Sequence, residues 1–113
     1  MNPAVKLAYE RELSLAMEAE ASGHSREAFE HLERAHILGQ RSTRAHVRAH
    51  WNMLRLGIRM RDGREVTGQV TRLIAALAVT RIWVPVGNTG GANVSATKPM
   101  PIPEDLRRLL EAP

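Results

Sequence analysis

The chain has 113 residues, 43% of them hydrophobic and 25% charged, and no cysteine. That is the size of one domain that can bury a core without disulfides, and it excludes thiolate nucleophiles and thiolate metal ligands, leaving histidine and carboxylate. The net charge of +4 suggests an anionic partner, but residues 41–81 carry most of the excess and lie between an acidic stretch, 1–40, and a balanced one, 82–113.

The opening MNPAVKLAYEREL has no basic segment leading into an apolar run and a cleavage site, and the longest nearly apolar run, 73–79, is too short for a bilayer. A soluble cytoplasmic protein with no membrane role is expected. Residues 4–21 read as a first helix, with Val5, Leu7 or Ala8, Leu15 and Ala16 at helical spacing, and Gly23 ends it as a C′ glycine. Ser25 is the expected N-cap of a second helix whose stripe is Ala28, Leu32, Ala35 and Leu38 or Gly39. Ser42 or Thr43 caps a third, to about Arg61, with the stripe Val47, Trp51, Leu54 and Ile58. Asp62 and Gly63 turn the chain into a fourth helix, from Arg64 to about Thr80, with Val66, Val70, Leu73, Ile74 and Leu77.

Short turns between these helices make neighbours antiparallel. Gly23, Ala28, Leu32 and Ala35 stand at offsets that resemble the second half of a tetratricopeptide repeat, and Gly63, Gly68 and Ala75 repeat them, although Arg72 breaks the apolar position. From residue 82 glycine and proline replace charge and exclude a helix, yet Ile82, Trp83, Val84, Val86, Val94, Met100 and Ile102 are too apolar for a free tail. Pro103 at N1 opens a last short helix. The expected fold is all-α: four antiparallel helices as two tetratricopeptide-like hairpins, an extended Gly/Pro-rich tail and a short C-terminal helix. It is read as a single domain over 1–113, with a core at 4–81, a docking segment at 82–103 and the helix at 104–111.

Four of the five histidines fall in residues 31–51, HLERAHILGQRSTRAHVRAHW. In a hairpin turning near residue 41, His36 lies opposite His46, and His50 follows on the same face, about 5–6 Å away at Cβ. The first hairpin, turning near 23 or 24, brings Glu12 level with His36. Helical bundles assemble interior metal sites from imidazoles and carboxylates in this way. The expected ligands are His36, His46, His50 and Glu12, with His31 and Glu33 as additional candidates. His31 lies about 140° around the helix from His36, too far to share one ion without a different hairpin rotation. Such a set suits zinc, iron, copper or nickel. No acid–base partner is placed for catalysis, so no catalytic residue is assigned, whether the chain is an enzyme stays open, and sequestration or delivery of the ion is the expected role.

Arginines 41, 44, 48, 55 and 59 lie near one helical stripe that could face phosphates, but the hairpin register sets Glu27, Glu30 and Glu33 against it and no aromatic platform accompanies it, which argues against nucleic acid. The segment VGNTGGANVSATK lacks the spacing of a phosphate loop. Gly87, Gly90 and Gly91 allow tight turns and Asn88 and Asn93 can bond the loop's own backbone, so these five residues are read as structural first and as a lid or partner contact second. The alternative to metal binding is a non-enzymatic interaction module whose groove takes a protein partner or a second copy of the chain.

At ERAHILGQ, HVRAHWNMLRLG and PVGNTGGANVSATKPMPIP the chain resembles a family of small bacterial proteins, domain of unknown function 3703, over residues 7–105. The resemblance implies a bacterial origin and one unit containing both the histidine hairpin and the glycine-rich tail. It implies no role for any residue.

Overall fold

The computed structural model describes residues 1–79, 87–91, 94 and 98–112, with the side chains of 76–79 excepted. Five helices occur among them: α1 (Pro3–Ala21), α2 (Ser25–Gly39), α3 (Thr43–Arg59), α4 (Gly63–Val79) and α5 (Glu104–Glu111). No strand occurs among the described residues, so the all-α fold stands. Each of the first three helices packs on the next, and α5 packs on α1 and α2. Of the apolar residues expected to dock the tail, Ile82, Trp83, Val84 and Val86 lie outside the described residues, while Ile102 packs against the core.

Local chemistry sets the helix ends. Asn2 accepts from the Ala4 N–H at 2.8 Å and Pro3 follows in the first turn, where its missing N–H costs nothing. Gly23 adopts φ +79°, and its N–H and that of His24 return to the carbonyls of Glu20 and Ala19, which closes α1 with a Schellman motif. The N-cap position of α2 is His24 and not the expected Ser25, with no side-chain hydrogen bond. Ser42 does cap α3, accepting from Ala45. Pro103 sits one residue earlier than expected, at the N-cap of α5.

The end of α3 repeats the Schellman pattern, with Asp62 N–H on Gly57 O and Arg61 N–H on Ile58 O, but its left-handed position is held by Arg61 at φ 55°. A residue with a Cβ there costs about 1–2 kcal/mol that glycine avoids, part of which glycine returns in unfolded-state entropy. Arg61→Gly is expected to stabilise the protein by roughly 0.5–1 kcal/mol in urea unfolding. An unchanged or lower midpoint would contradict the strain.

The core runs along the α1–α2 contact through Val5, Tyr9, Leu13, Ala16, Ala28, Leu32 and Ala35. Met53 and Leu56 of α3 and Leu106 of α5 close it, each essentially fully buried. The α2 stripe read from the sequence is the buried one. Small residues let the helices approach: a Cβ on Gly39 would fall 2.7 Å from that of Ala45 and 2.9 Å from the Tyr9 ring. Tyr9 donates to the Ala45 carbonyl at 2.8 Å, and burial pushes its phenol up to about 12.

Three other stripes differ. In α1 the expected Val5 and Ala16 are buried and Ala8 packs on the core, but Leu7 is 74% exposed and Tyr9, Glu12 and Leu13 also point inward. In α3, Trp51 and Ile58 are exposed, while Ala45, His46, Ala49, His50, Met53, Leu56 and Gly57 are buried. In α4, Val70 and Ile74 are exposed and Glu65 and Gln69 are buried. The cause is shared by α3 and α4: a hydrogen-bonded polar group lies between them, so their inward faces carry histidine, glutamine and glutamate, and the larger apolar side chains turn out.

Candidate metal centre

Three rings meet where the end of α2 packs on the start of α3, with Gln69 of α4 beside them. The last turn of α2 presents His36, and α3 presents His46 and His50 one turn apart. Their relative exposures are 2%, 8% and 3%. The ring centroids form a near-equilateral triangle with sides of 4.7, 4.6 and 4.7 Å. His50 Nε2 lies 3.1 Å from His36 Nε2 and 3.0 Å from His46 Nε2, so three nitrogens converge on one point. Among the described residues these three histidines are the group whose ligand atoms lie within 4.8 Å of one another.

The outer nitrogens of His36 and His50 are engaged by neighbours. His36 Nδ1 is 2.9 Å from the Asn88 carbonyl, and His50 Nδ1 is 2.5 Å from Gln69 Oε1. The orientation of the Gln69 amide follows from its other end, where Nε2 donates to Gly90 O at 2.8 Å and to Glu65 Oε2 at 2.5 Å. The outer partners of His36 and His50 are therefore oxygens that only accept, so Nδ1 of these two rings carries hydrogen and their Nε2 atoms present lone pairs. Two lone pairs then face each other across 3.1 Å. That contact is repulsive unless an electrophile sits between them.

A proton is a poor candidate. Burial pushes His36 well below its ordinary range, and His50 and His46 beside it push it further. Burial also lowers His46 to about 4, and burial followed by the charge of His46 lowers His50 to about 4 against the hydrogen bond to Gln69. Arg72, itself pushed down by burial, adds positive potential and donates to the carbonyls of Gly90 and Val94 at 3.3 and 2.7 Å. Near neutrality the rings are three uncharged bases.

The carboxylate expected from α1 does not join them. Glu12 is buried at the right level but on another side of α2, where it accepts from His31 Nδ1 at 2.7 Å and Arg34 Nε at 2.8 Å. Arg34 also grips Asp105 and so ties α5 to α2. Its guanidinium holds the Asp105 carboxyl below the ordinary range. Arg34→Ala is expected to cost about 1–3 kcal/mol by leaving buried Glu12 with one partner fewer, read by thermal unfolding; a variant as stable as the parent would remove that role. Glu33 is half-buried in a cleft with Glu30, Asp62 and Glu65, and burial raises its carboxyl above the usual range. It too stands outside the imidazole group.

The arginine stripe of α3 is neutralised from a different side than expected. Arg48 pairs with Glu10 at 3.0 Å, and Arg55 and Arg59 pair with Glu20 at 3.0 and 2.6 Å, because this face of α3 meets α1 and not α2. Of the loop residues, Gly87, Asn88, Gly90 and Gly91 are buried, and Asn93 lies outside the described residues. Gln69 and Arg72 were not singled out as site residues, though both were visible as polar interruptions of the α4 pattern. Glu65 and Gln69 one turn apart on a helix of Val and Leu are the same kind of signal.

None of the described helices is long and apolar enough to cross a membrane. Neither the curated proteins nor the solved structures yield a match to this chain. One family model does match, over residues 3–110, nearly the whole length that holds both the triad and the glycine-rich loop. With that coverage, the chain belongs to the family described as protein of unknown function, DUF3703.

Proposed function

We propose that the protein binds one first-row transition-metal ion through Nε2 of His36, His46 and His50, and that it sequesters or delivers the ion. The observation that carries this reading is the pair of Nε2 lone pairs of His36 and His50 facing each other at 3.1 Å with both Nδ1 hydrogens committed elsewhere. A tetrahedral ion with metal–nitrogen bonds of about 2.0–2.1 Å requires ligand nitrogens about 3.3 Å apart, and the His36–His50 and His50–His46 pairs stand within a few tenths of an ångström of that, at 3.1 and 3.0 Å. The donor set narrows the ion. Neutral imidazoles suit zinc, copper, nickel, cobalt or iron, whereas calcium and magnesium require oxygen ligands that the group lacks.

Three protein ligands leave a fourth position for water or an exogenous donor. The burial of the rings favours holding the ion over turning over a substrate. Metal analysis of the full chain purified without a histidine tag, followed by zinc, copper and nickel titration, is the test. About one ion per chain is expected, and no binding to any of the three would overturn the reading.

A second reading rests on the groove of about 200 Å³ between α1 and α3, where Met17 and Trp51 stand 64% and 58% exposed over Leu13 and Ala16. A tetratricopeptide-like module would dock a protein partner or another copy there. It predicts partner binding that survives the combined change His46→Ala and His50→Ala, which the metal reading does not require.

A further inference from the structure

The described part of the glycine-rich segment, residues 87–91, lies directly on the imidazole group. Gly90 adopts φ +84°, and a Cβ there would fall 2.6 Å from His36 Cδ2 and 2.8 Å from His36 Nε2. Only a glycine backbone can come this close to the ring edge that carries the proposed ligand atom. The approach is held from four directions. The Gly90 N–H donates to Asn88 Oδ1 at 2.9 Å, the Gly90 carbonyl accepts from Gln69 and Arg72, and Asn88 Nδ2 reaches the Lys98 carbonyl at 2.7 Å. Gly87, at φ +80°, packs so tightly on the Met100 backbone that a Cβ would fall 1.8 Å from its carbonyl oxygen. The Asn88 side chain thus shapes the turn, and the Asn88 carbonyl is delivered to His36 Nδ1.

That carbonyl decides which nitrogen of His36 can coordinate. With the loop docked, the ring hydrogen stays on Nδ1 and Nε2 is a free donor aimed at His50 and His46. With the loop undocked, Nδ1 loses its acceptor, and the ring can hold its hydrogen on Nε2 or rotate. Partners of this kind, which bond the outer nitrogen of a metal-bound imidazole, typically contribute tenfold to hundredfold in affinity. Building on the metal reading above, we infer that the 87–91 loop is a positioning element for the centre: docking of Asn88 and Gly90 on His36 prepares the ligand nitrogen, so loop docking and metal binding strengthen each other. The coupling is reciprocal by thermodynamic necessity: a bound ion must hold the loop down by the same factor that the loop tightens the ion.

Two measurements test it, with zinc alone as the probe and the full untagged chain as the protein. Asn88→Ala removes the bonds that shape the turn and leaves all three histidines in place. It is expected to weaken zinc binding about tenfold to hundredfold in competition with a chromophoric chelator, and Asn88→Asp, which keeps the acceptor for Gly90, to recover part of the loss. In the parent, saturating zinc is expected to slow hydrogen exchange of the Thr89, Gly90 and Gly91 amides about tenfold or more, an effect absent from His50→Ala. Zinc that binds the parent without slowing those amides overturns the inference and leaves the metal reading standing, as does Asn88→Ala binding as tightly as the parent. A parent that binds no zinc, copper or nickel removes both. The exchange measurement is made on the unaltered chain, so it decides the matter even where Asn88→Ala fails to fold.

Discussion

Replacing His50 with alanine is expected to weaken zinc binding more than about a hundredfold, beyond the range typical of a supporting residue, while the metal-free protein keeps its helical circular dichroism. His50 is the shared vertex of the triad. Its Nε2 stands 3.1 Å from that of His36 and 3.0 Å from that of His46, so its removal leaves two donors with no common neighbour. His24 provides the control, because its side chain is 65% exposed and pairs loosely with Glu27 at 3.8 Å. Should titration calorimetry return the same affinity for His50→Ala as for His24→Ala, the imidazole cluster is not where zinc binds. The helices themselves should persist, since the apolar core along α1 and α2 does not use the ring.

The second large effect is acid destabilisation of the metal-free protein. Folded His46 and His50 take up protons only near pH 4, whereas the same residues in the unfolded chain do so near 6.5. Between those values the unfolded state binds more protons, so stability is complete above about pH 6.5 and is lost as the pH falls toward 4. Two such imidazoles together cost on the order of several kcal/mol across that window. Urea unfolding at pH 7.5 and pH 4.5 measures it, and the double change His46→Leu and His50→Leu should lessen the slope, leaving the part that buried His36 contributes. A parent chain as stable at the lower pH as at the higher would mean that the rings are not buried uncharged. Zinc should move the loss to lower pH, because the ion and the protons compete for the same nitrogens.

How far the site could be read in advance is clearest from Glu12 and His50. Counting residues out from each turn sets the level of one helix against the next, and at that resolution His36, His46 and His50 do meet and Glu12 does stand level with His36. Level is not azimuth. Glu12 leaves α1 toward His31 and Arg34, one side of α2 away from the rings. The rotation of each helix about its own axis comes from how all four pack, and no pair of sequence positions specifies it.

The apolar stripes of α3 and α4 teach the same point from the other direction. Val47, Trp51, Leu54 and Ile58 recur at helical spacing as a core face would, and Val66, Val70 and Ile74 follow suit. Yet Trp51, Ile58, Val70 and Ile74 end up exposed, because the space between these helices is taken by hydrogen-bonded His50, Gln69 and Glu65. Periodicity assumes that the inward face is the most hydrophobic one, and a satisfied polar group in the interior breaks that assumption. The polar interruptions of α4 carried the information, but they gain meaning only once His50 is seen opposite them.

What the linear order of residues determined by itself is local. It set five helices and most of their ends, through the Schellman glycine at 23, the Ser42 cap and the proline before α5. It also set the spacing that stacks His46 over His50, and the lack of thiols that confines metal chemistry to imidazole and carboxylate. Tertiary packing decided the rest: that three rings and no carboxylate converge, that Gln69 and the Asn88 carbonyl set the tautomers of His50 and His36, and that Gly90 lies against His36. Capping, turn conformation and helical repeat act within a few residues of chain, whereas hydrogen-bond commitments across 19 and 52 residues exist only after the helices have fixed one another's rotation.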